Sequence, residues 1–304
     1  MSSVPRMMVS CVRSVRRWLR RTDSDAAPRR ELTEQLLASN VVSLVASLGS
    51  GVEAEIPVRS HLCRAQLRGG FERKHIAVLR ALVGNSGHAV DVGANIGLMT
   101  CVLAERVGSM GRVLAVEPLD ACRTTLGRNL VRNRYESRVV IRGVCVGATV
   151  GQVDLHVIDG NEEYSAIGGI VHPSATMASR TERCAVVTLD QLCADEGVRP
   201  SLVKIDTEGY EFQVLLGMVG LMAEPRPAIS IELVPAMLHA CGNDVAQVIE
   251  LLARHTYRLF DLQGLPAAVS EVGVGDNYQF LALPIEKADA LLRAIGASDR
   301  AVSQ

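Results

Sequence analysis

Aromatic residues and long apolar runs are both scarce in this sequence. Phe, Trp and Tyr together make up only 3% of its 304 residues, so we expect a core built mainly from Val, Leu, Ala and Ile. No apolar run reaches the roughly 18 residues that suggest a membrane-spanning helix. The formal net charge of −1 lacks the basic excess of a general nucleic-acid binder. These absences predict a globular protein with no nucleic-acid partner.

The spacings typical of metal and redox sites are absent as well. The eight cysteines contain no C-x-x-C pair, and the seven histidines contain no H-x-x-x-H pair. Zinc sites and thioredoxin-type sites use such spacings, so we predict no protein-bound metal. No secretory signal pattern precedes the cysteines, and the expected location is therefore the reducing cytoplasm.

The N-terminal residues 1–30 form a basic segment. Arginines surround Trp18, and apolar residues on both sides of them recur at helical spacing. Two interpretations stay open. The segment is either a flexible basic tail or an amphipathic helix that makes a weak contact with an anionic membrane through residues 1–21. The second interpretation would place a cytoplasmic protein at the inner face of the membrane.

Residues 31–87 are interpreted as an accessory segment. Helical patterns cover residues 31–48 and 71–83, and a strand pattern covers residues 52–58. We expect this segment to form a small N-terminal cap.

From residue 88 to residue 285, short β-rich runs alternate with helical patterns, and residues 286–304 are expected to form a C-terminal tail. Such alternation predicts a parallel sheet with helices on both faces. We therefore expect a doubly wound α/β domain whose sheet is mostly parallel, with an antiparallel edge strand. Predicted strands cover residues 89–92, 112–116, 138–142, 202–205, 229–231, 257–261 and, at the edge, 278–283. Predicted helices cover residues 95–106, 119–131, 211–222 and 245–253.

An insertion, residues 148–198, separates the third and fourth core strands. It contains strand patterns at residues 154–157 and 185–189. The Gly-, Ser- and Ala-rich stretch 159–179 has no period and is expected to be a mobile loop.

The strongest local signal is the run Asp91-Val-Gly-Ala-Asn-Ile-Gly97, which follows an apolar strand and precedes a helical pattern. Open α/β sheets bind ligands outside the carboxyl ends of their strands. Gly93 permits a sharp turn and a close backbone approach to a ligand, and Gly97 permits close packing of the helix on the sheet. Asn95 is expected to cap the helix or to contact the ligand.

The next strand pattern ends in Glu117, whose carboxylate can accept hydrogen bonds from both ribose hydroxyls of an adenosine ligand. The G-x-G-x-x-G fingerprint of nicotinamide enzymes would need glycines where this chain has Asn95 and Leu98. Asp91 also suits a cationic sulfonium and would repel a pyrophosphate. The pairing favours S-adenosylmethionine, with a nicotinamide-dependent oxidoreductase as the alternative.

These segments together resemble the FkbM family of methyltransferases, which has the class I fold. The most distinctive run is Lys204-Ile-Asp-Thr-Glu-Gly-Tyr-Glu211. All matching segments occur in the order typical of the family. The others are Asp91-Val-Gly-Ala-Asn-Ile-Gly97, Val116-Glu-Pro118, Arg128-Asn-Leu130 with Asn133, Val186-Val-Thr-Leu-Asp190 and Ile231-Glu-Leu233.

The resemblance implies O-methylation of a hydroxyl, often of a sugar in a glycolipid, polysaccharide or natural product, with S-adenosyl-L-methionine as cofactor. A small-molecule or glycoconjugate substrate is therefore expected. The chain departs from the family at Ala148, where an acid commonly follows the third core strand, so a non-catalytic binding scaffold is a third interpretation. The cofactor-binding candidates are Asp91, Gly93, Ala94, Asn95, Gly97, Glu117 and Pro118.

Methyl transfer to an alcohol oxygen needs a proton acceptor. Asp206 and Glu208 follow the fourth core strand and Glu232 ends the next, so these three carboxylates are the catalytic candidates. Lys204 points to the same face of its strand as Asp206 and can pair with it. Asp206 is favoured as the base, and the alternative role for Asp206 or Glu208 is to cap the following helix.

Overall fold

The computed structural model describes residues 34–36, 38–69, 72–84, 87–158, 165–167, 179–273 and 278–296. The basic segment 1–30, with its predicted membrane contact, lies outside the described residues, and so does most of the predicted mobile loop 159–179. No helix in the described part of the chain is long and apolar enough to cross a membrane.

The described part of the chain divides into two compact units. The smaller contains the described residues up to 44 and residues 56–69, and the larger contains residues 45–55 and the described residues from 72 onward. In the smaller unit, helix α1 (His61–Gly69) was not predicted. The hydroxyl of Ser60 accepts a hydrogen bond from the backbone N–H of Cys63 at 3.1 Å, which satisfies an amide that the first turn of α1 leaves free.

Two strands, β1 (Ser43–Gly49) and β2 (Val52–Pro57), form a two-stranded sheet. The predicted strand at residues 52–58 is confirmed, whereas the predicted helix at residues 31–48 is wrong over β1. Leu44, Ala46 and Leu48 are buried and alternate with more exposed residues, which is the period of a strand rather than of a helix.

The remaining strands run in the same order as the predicted ones, with additions in the insertion. They are β3 (His88–Val92), β4 (Arg112–Val116), β5 (Val139–Arg142), β6 (Cys145–Val146), β7 (Gly151–Ile158), β8 (Ala166–Ile167), β9 (Ser179–Val187), β10 (Pro200–Ile205), β11 (Ala228–Glu232), β12 (Tyr257–Asp261) and β13 (Gln279–Pro284).

Seven of these strands build the central sheet, in the order β12-β13-β11-β10-β3-β4-β5. The pairs from β11 to β5 are parallel, and β13 is antiparallel to both β11 and β12. The antiparallel strand was expected at the edge, but it lies second from the edge. Its residues Phe280, Leu281, Ala282 and Leu283 are all 0% exposed, so both faces of β13 are covered and β12 takes the edge.

The insertion forms a second sheet in the order β6-β9-β7-β8. Its two predicted strands are present, but β9 begins at Ser179, well before the predicted start. Leu189 does not continue the strand, because the hydroxyl of Thr188 accepts a hydrogen bond from the N–H of Gln191 at 3.2 Å and starts a helix there.

The helices of the larger unit follow the predicted alternation. They are α2 (Arg73–Leu82), α3 (Leu98–Val107), α4 (Asp120–Asn133), α5 (Leu189–Asp195), α6 (Glu211–Leu216), α7 (Val219–Ala223), α8 (Pro235–Ala240), α9 (Val245–Arg254) and α10 (Ile285–Ala294). The expected C-terminal tail thus begins with a helix, whose Ala288 and Leu292 are buried.

The helix predicted over residues 211–222 is divided into α6 and α7. A Cβ atom on Gly217 would lie 2.1 Å from the carbonyl oxygen of Gly147. Gly217 is therefore required where these two backbone segments touch, and a single continuous helix does not form across this contact.

Helix α4 supplies the hydrogen bonds that a neighbouring strand would give to β2. The side-chain amide of Asn129 accepts from the N–H of Glu55 at 2.6 Å and donates to the carbonyl of Glu55 at 3.1 Å. Asn133 pairs in the same way with Glu53, at 2.9 and 2.6 Å. Asn129 also donates to the carbonyl of Ile96 at 2.9 Å, so the helix holds β2 and the turn after β3 together.

We predict that Asn129→Ala lowers the free energy of unfolding by about 2 to 4 kcal/mol, because it leaves buried backbone groups without partners. Asn133→Ala is the matched control, since the same pairing there is exposed to solvent, and we expect a loss of about 1 kcal/mol. Urea unfolding of both variants measures the difference. Equal losses would contradict the special role of Asn129.

Candidate active site

The turn between β3 and α3 is held by the last residue of β4. The N–H groups of Gly93 and Ala94 both donate to the carbonyl of Val116 at 3.0 Å. Gly93 has a φ of +75°, and a Cβ atom there would lie 1.8 Å from the carbonyl oxygen of Asp206. The close approach that requires glycine is therefore to the segment after β10, and it brings the two loops of the candidate site into contact.

The residues Asn95 and Gly97 shape the rest of this turn. Both have positive φ, +51° and +84°, so α3 begins at Leu98 rather than at the predicted residue 95. The side chain of Asn95 accepts a hydrogen bond from the N–H of Ile96 at 2.7 Å and does not cap the helix. A Cβ atom on Gly97 would lie 2.7 Å from Leu126 of α4, so the expected close packing is against this helix and not against the sheet.

Glu117 follows β4 and joins two loops. Its side chain is 6% exposed, and its two oxygens accept hydrogen bonds from the N–H groups of Asn95 at 2.8 Å and Leu119 at 2.9 Å. Burial raises the pKa of Glu117 to about 6. Arg123 of α4, which the sequence did not single out, donates to the carbonyls of both Glu117 and Pro118. The predicted contacts Asn95, Glu117 and Pro118 are therefore brought together.

A buried polar row crosses three neighbouring strands. Asp91, Lys204 and Ser230 occupy the same register on β3, β10 and β11, and they are 0%, 4% and 0% exposed. The ammonium of Lys204 lies 3.2 Å from Asp91 Oδ1 and 3.3 Å from Asp206 Oδ2, and it donates to the carbonyl of Gly93 at 3.0 Å. The predicted pairing of Lys204 with Asp206 is confirmed.

The charge of Lys204 persists in this buried position. Burial alone would lower the pKa of Lys204, but the carboxylates of Asp206 and Asp91 outweigh it and raise the pKa. Asp91 is in turn fixed by the hydroxyl of Thr100, which donates to it at 2.6 Å. Asp91 could contact a cationic cofactor only if its ion pair with Lys204 and its hydrogen bond from Thr100 were disrupted. We therefore assign Asp91 the role of positioning Lys204.

Three carboxylates meet where β10 and β11 end. One oxygen from each of Asp206, Glu208 and Glu232 lies within 4.8 Å of the others, and all three side chains are partly exposed. Gln279 of β13 donates to Glu232 Oε1 at 3.0 Å. The structure thus brings together the three residues that the sequence offered as catalytic candidates.

The two carboxyl groups differ in their affinity for protons. Burial would raise the pKa of Asp206, but Lys204 outweighs burial and holds this pKa below its usual range. Burial and the neighbouring charges of Asp206 and Glu208 raise the pKa of Glu232 well above its usual range. Glu232 therefore binds a proton more readily than Asp206.

Among the described residues, these three carboxylates are also the one group close enough to share a metal ion. Acidic groups often approach one another without a metal, and here the ammonium of Lys204 already reduces their repulsion. We assign no metal to the group.

The segment after β10 is shaped by Glu211, the last residue of the distinctive run, for which the sequence indicated no role of its own. Its Oε1 atom accepts from the N–H and hydroxyl of Thr207, at 2.9 and 3.0 Å, and from the N–H of Gly209 at 3.1 Å. Neither Asp206 nor Glu208 caps the helix, since α6 has no side-chain cap. Glu208 has a φ of +54°, and such strained residues concentrate at functional sites.

A second group of buried, hydrogen-bonded side chains lies beside Lys204 and links α2 to β11. His75 Nδ1 is 2.6 Å from Glu72, and His75 Nε2 is 2.7 Å from the hydroxyl of Ser230. The order Ser–His–Glu resembles the relay of a hydrolase, but His75 is 2% exposed and Ser230 is 0% exposed. The serine is closed to solvent and to a substrate, so we interpret these hydrogen bonds as an attachment of α2 to the sheet.

Known proteins that are similar to this chain include methyltransferases. A family model for the FkbM methyltransferase domain matches residues 91–259. Among solved structures, an FkbM methyltransferase from Methylobacillus flagellatus is similar at 17% identity and a TM-score of 0.45, over 91% of this chain and 59% of that one. An O-methyltransferase from Bacillus cereus in complex with SAH is similar at 14% identity and a TM-score of 0.40, over 69% and 78% of the two chains. No curated protein matches the sequence.

The strand order, the glycine turn after β3 and the acid after β4 together define a Rossmann-like α/β protein of the class I methyltransferase type. The family model covers more than half of the sequence, and the chain belongs to the FkbM methyltransferase family. The chain spans 59% of the length of the Methylobacillus flagellatus protein.

We predict that Lys204→Met lowers the free energy of unfolding by about 3 to 5 kcal/mol, because it leaves the buried charge of Asp91 without a partner. The double variant Asp91→Asn/Lys204→Met should recover part of this loss. Lys74→Met, at an exposed position of α2, is the control for losing a lysine. Urea unfolding at neutral pH tests the three variants, and a loss below about 1 kcal/mol, the scale of a surface ion pair, would contradict the assignment.

Proposed function

We propose that this chain transfers a methyl group from S-adenosylmethionine to a hydroxyl oxygen, and that the acceptor is a sugar in a glycolipid, polysaccharide or natural product. The observation that carries the proposal is the position of two acidic sites along the carboxyl edge of one sheet. Glu117 follows β4, and the Asp206, Glu208 and Glu232 group follows β10 and β11. Ligands of open α/β sheets bind along this edge.

The residues present fit the proposed cofactor. Each oxygen of Glu117 accepts one backbone hydrogen bond, and a carboxylate oxygen can accept a second, which suits a ribose diol. The acidic group beyond it suits a cationic sulfonium. When bound, S-adenosylmethionine supplies an electrophilic methyl group, and the chain supplies orientation and a proton acceptor.

The turn is less suited to a nicotinamide dinucleotide. The N–H groups of Gly93 and Ala94 are already used by the carbonyl of Val116, so they are not available to a pyrophosphate. The carboxylates of Asp206 and Glu208 would also repel a dianionic group. These features support the methyltransferase over the oxidoreductase alternative.

The test has two stages. Titration calorimetry with S-adenosylmethionine, S-adenosylhomocysteine and NADH identifies the cofactor. A screen with radiolabelled methyl donor and sugar, glycolipid and polyketide acceptors then identifies the reaction. We expect the two adenosyl compounds to bind and label to appear in an acceptor hydroxyl. Binding of NADH alone would contradict the proposal, and cofactor binding with no transfer to any acceptor would favour the scaffold interpretation.

We predict that Glu117→Gln weakens S-adenosylmethionine binding by roughly 10- to 100-fold. The expected cause is the loss of charge-assisted hydrogen bonds, which are worth about 1.5 to 3 kcal/mol each. Glu136→Gln, at an exposed position, is the matched control and should bind normally. Calorimetry gives both dissociation constants, and wild-type affinity in a folded Glu117→Gln protein would remove Glu117 from the site.

We also predict that cofactor affinity falls as the pH drops through about 6. Burial raises the pKa of Glu117 to about 6, so the carboxylate that accepts the ribose hydroxyls is lost below this pH. Dissociation constants between pH 5 and pH 8 measure the effect. The dependence should disappear in Glu117→Gln, and an unchanged dependence in that variant would assign it to another group.

A further inference from the structure

The three carboxylates at the ends of β10 and β11 are not equivalent. Asp206 lies 3.3 Å from the ammonium of Lys204, which is itself buried and held by Asp91. An acid paired with a permanent cation is a weak base. Glu232 has no lysine or arginine ion pair in the described part of the chain, and its partners are the neighbouring carboxyl of Asp206 and the amide of Gln279.

We propose that Glu232, rather than Asp206, accepts the proton of the acceptor hydroxyl, and that Asp206 is a positioning residue fixed by Lys204. This inference rests on the proposed function. Glu232 is partly exposed at the carboxyl edge of the sheet, so an acceptor can reach it. Gln279 orients it by donating a hydrogen bond to its Oε1 atom at 3.0 Å.

The proposed step balances in atoms and charge. The acceptor oxygen forms a bond to the methyl carbon while the carbon–sulfur bond breaks and leaves its electron pair on sulfur. The O–H bond of the acceptor breaks, its electron pair stays on oxygen, and the proton moves to the carboxylate of Glu232. The products are a methyl ether, a neutral thioether and a protonated Glu232.

Burial and the charged groups around Glu232 set its pKa. Negative groups face it from the loop after β10 and from α6, namely Asp206, Glu208 and Glu211, and burial and these charges raise the pKa of Glu232 well above its usual range. Lys204 on β10 and His75 on α2 act on the neighbouring Asp206. A base works best when its pKa lies near the working pH, and the acidic neighbours move Glu232 in that direction.

The pH dependence distinguishes a base from its neighbours. A base must be deprotonated, so kcat/KM should rise with pH through the pKa of Glu232, above the ordinary glutamate pKa of about 4.3. Asp206→Asn removes a negative neighbour and should move this acid limb to lower pH while turnover persists. Glu208→Gln should move it in the same direction. If Asp206 were the base, Asp206→Asn would remove the limb altogether.

Turnover and cofactor binding are then compared in Glu232→Gln. We expect kcat to fall by about 100- to 10,000-fold, the usual contribution of a positioned base. The dissociation constant for S-adenosylmethionine and the melting temperature should stay near their wild-type values. Glu136→Gln again serves as the control. Near-normal turnover in Glu232→Gln overturns the proposal.

A measurement without turnover separates this inference from the proposed function. Carbon-13 NMR of the free protein, with the Glu232 carboxyl signal assigned by its loss in Glu232→Gln, gives the pKa directly. We expect a raised value that falls in Asp206→Asn, and an ordinary value overturns the proposal even if methyl transfer occurs. A wild-type protein that binds no methyl donor instead contradicts the proposed function.

The alternative role for the three carboxylates is to bind a metal ion. Turnover that is abolished by EDTA and restored by Mg²⁺, together with calorimetric Mg²⁺ binding that is lost in Glu232→Gln, would show that Glu232 binds a cation and would overturn its role as proton acceptor. We expect EDTA to have no effect and Mg²⁺ titration to give no heat of binding.

Discussion

The buried ammonium of Lys204 is the group on which the geometry of the candidate site depends. It is 4% exposed, and an isolated charge at such a position is costly, so its partners must stay in place. Those partners lie on β3, on the turn after β3 and on the loop after β10. One side chain therefore fixes the turn after β3 and the carboxylate group relative to each other. Asp206, which looks like a base in the sequence, is part of this ion-pair network.

Close backbone contacts at two glycines also hold the loops of the candidate site together. Gly93 leaves room for the carbonyl of Asp206, and Gly209 leaves room for the carbonyl of Met237 on α8, where a Cβ atom would come within 2.5 Å. The loop after β10 is thereby clamped between the turn after β3 and the helix after β11. Asn129 adds the third attachment through the carbonyl of Ile96. Because each contact joins a different element to the site, catalytic groups can be held in place without a ligand.

Periodicity and local motifs predict most of this fold. The strand runs of the central sheet, the glycine turn and the position of Glu117 follow from near neighbours in sequence, and the structure has them close to where they are expected. Local patterns do not predict an element whose structure or position depends on a partner distant in sequence. The alternation of Leu44, Ala46 and Leu48 competes with a helical pattern, and the place of β13 depends on which strand pairs with β11. His75 shows no motif, since its partner Ser230 becomes a neighbour only in the folded chain. The choice between Asp206 and Glu232 depends on Lys204 in the same way.

The charge of the site explains why an acid with a raised pKa is useful here. On the proposed reaction, a sulfonium cation binds beside the carboxylates of Asp206, Glu208 and Glu232 and leaves as a neutral thioether, so a positive charge disappears beside these groups. If no proton stayed at the site, the carboxylates would lose a favourable interaction with this charge, and product formation would be opposed. A proton that moves to Glu232 in the same step replaces the lost positive charge, and the formal charge of the site is unchanged. Lys204 makes this possible because it keeps Asp206 ionised and thereby directs the proton to Glu232.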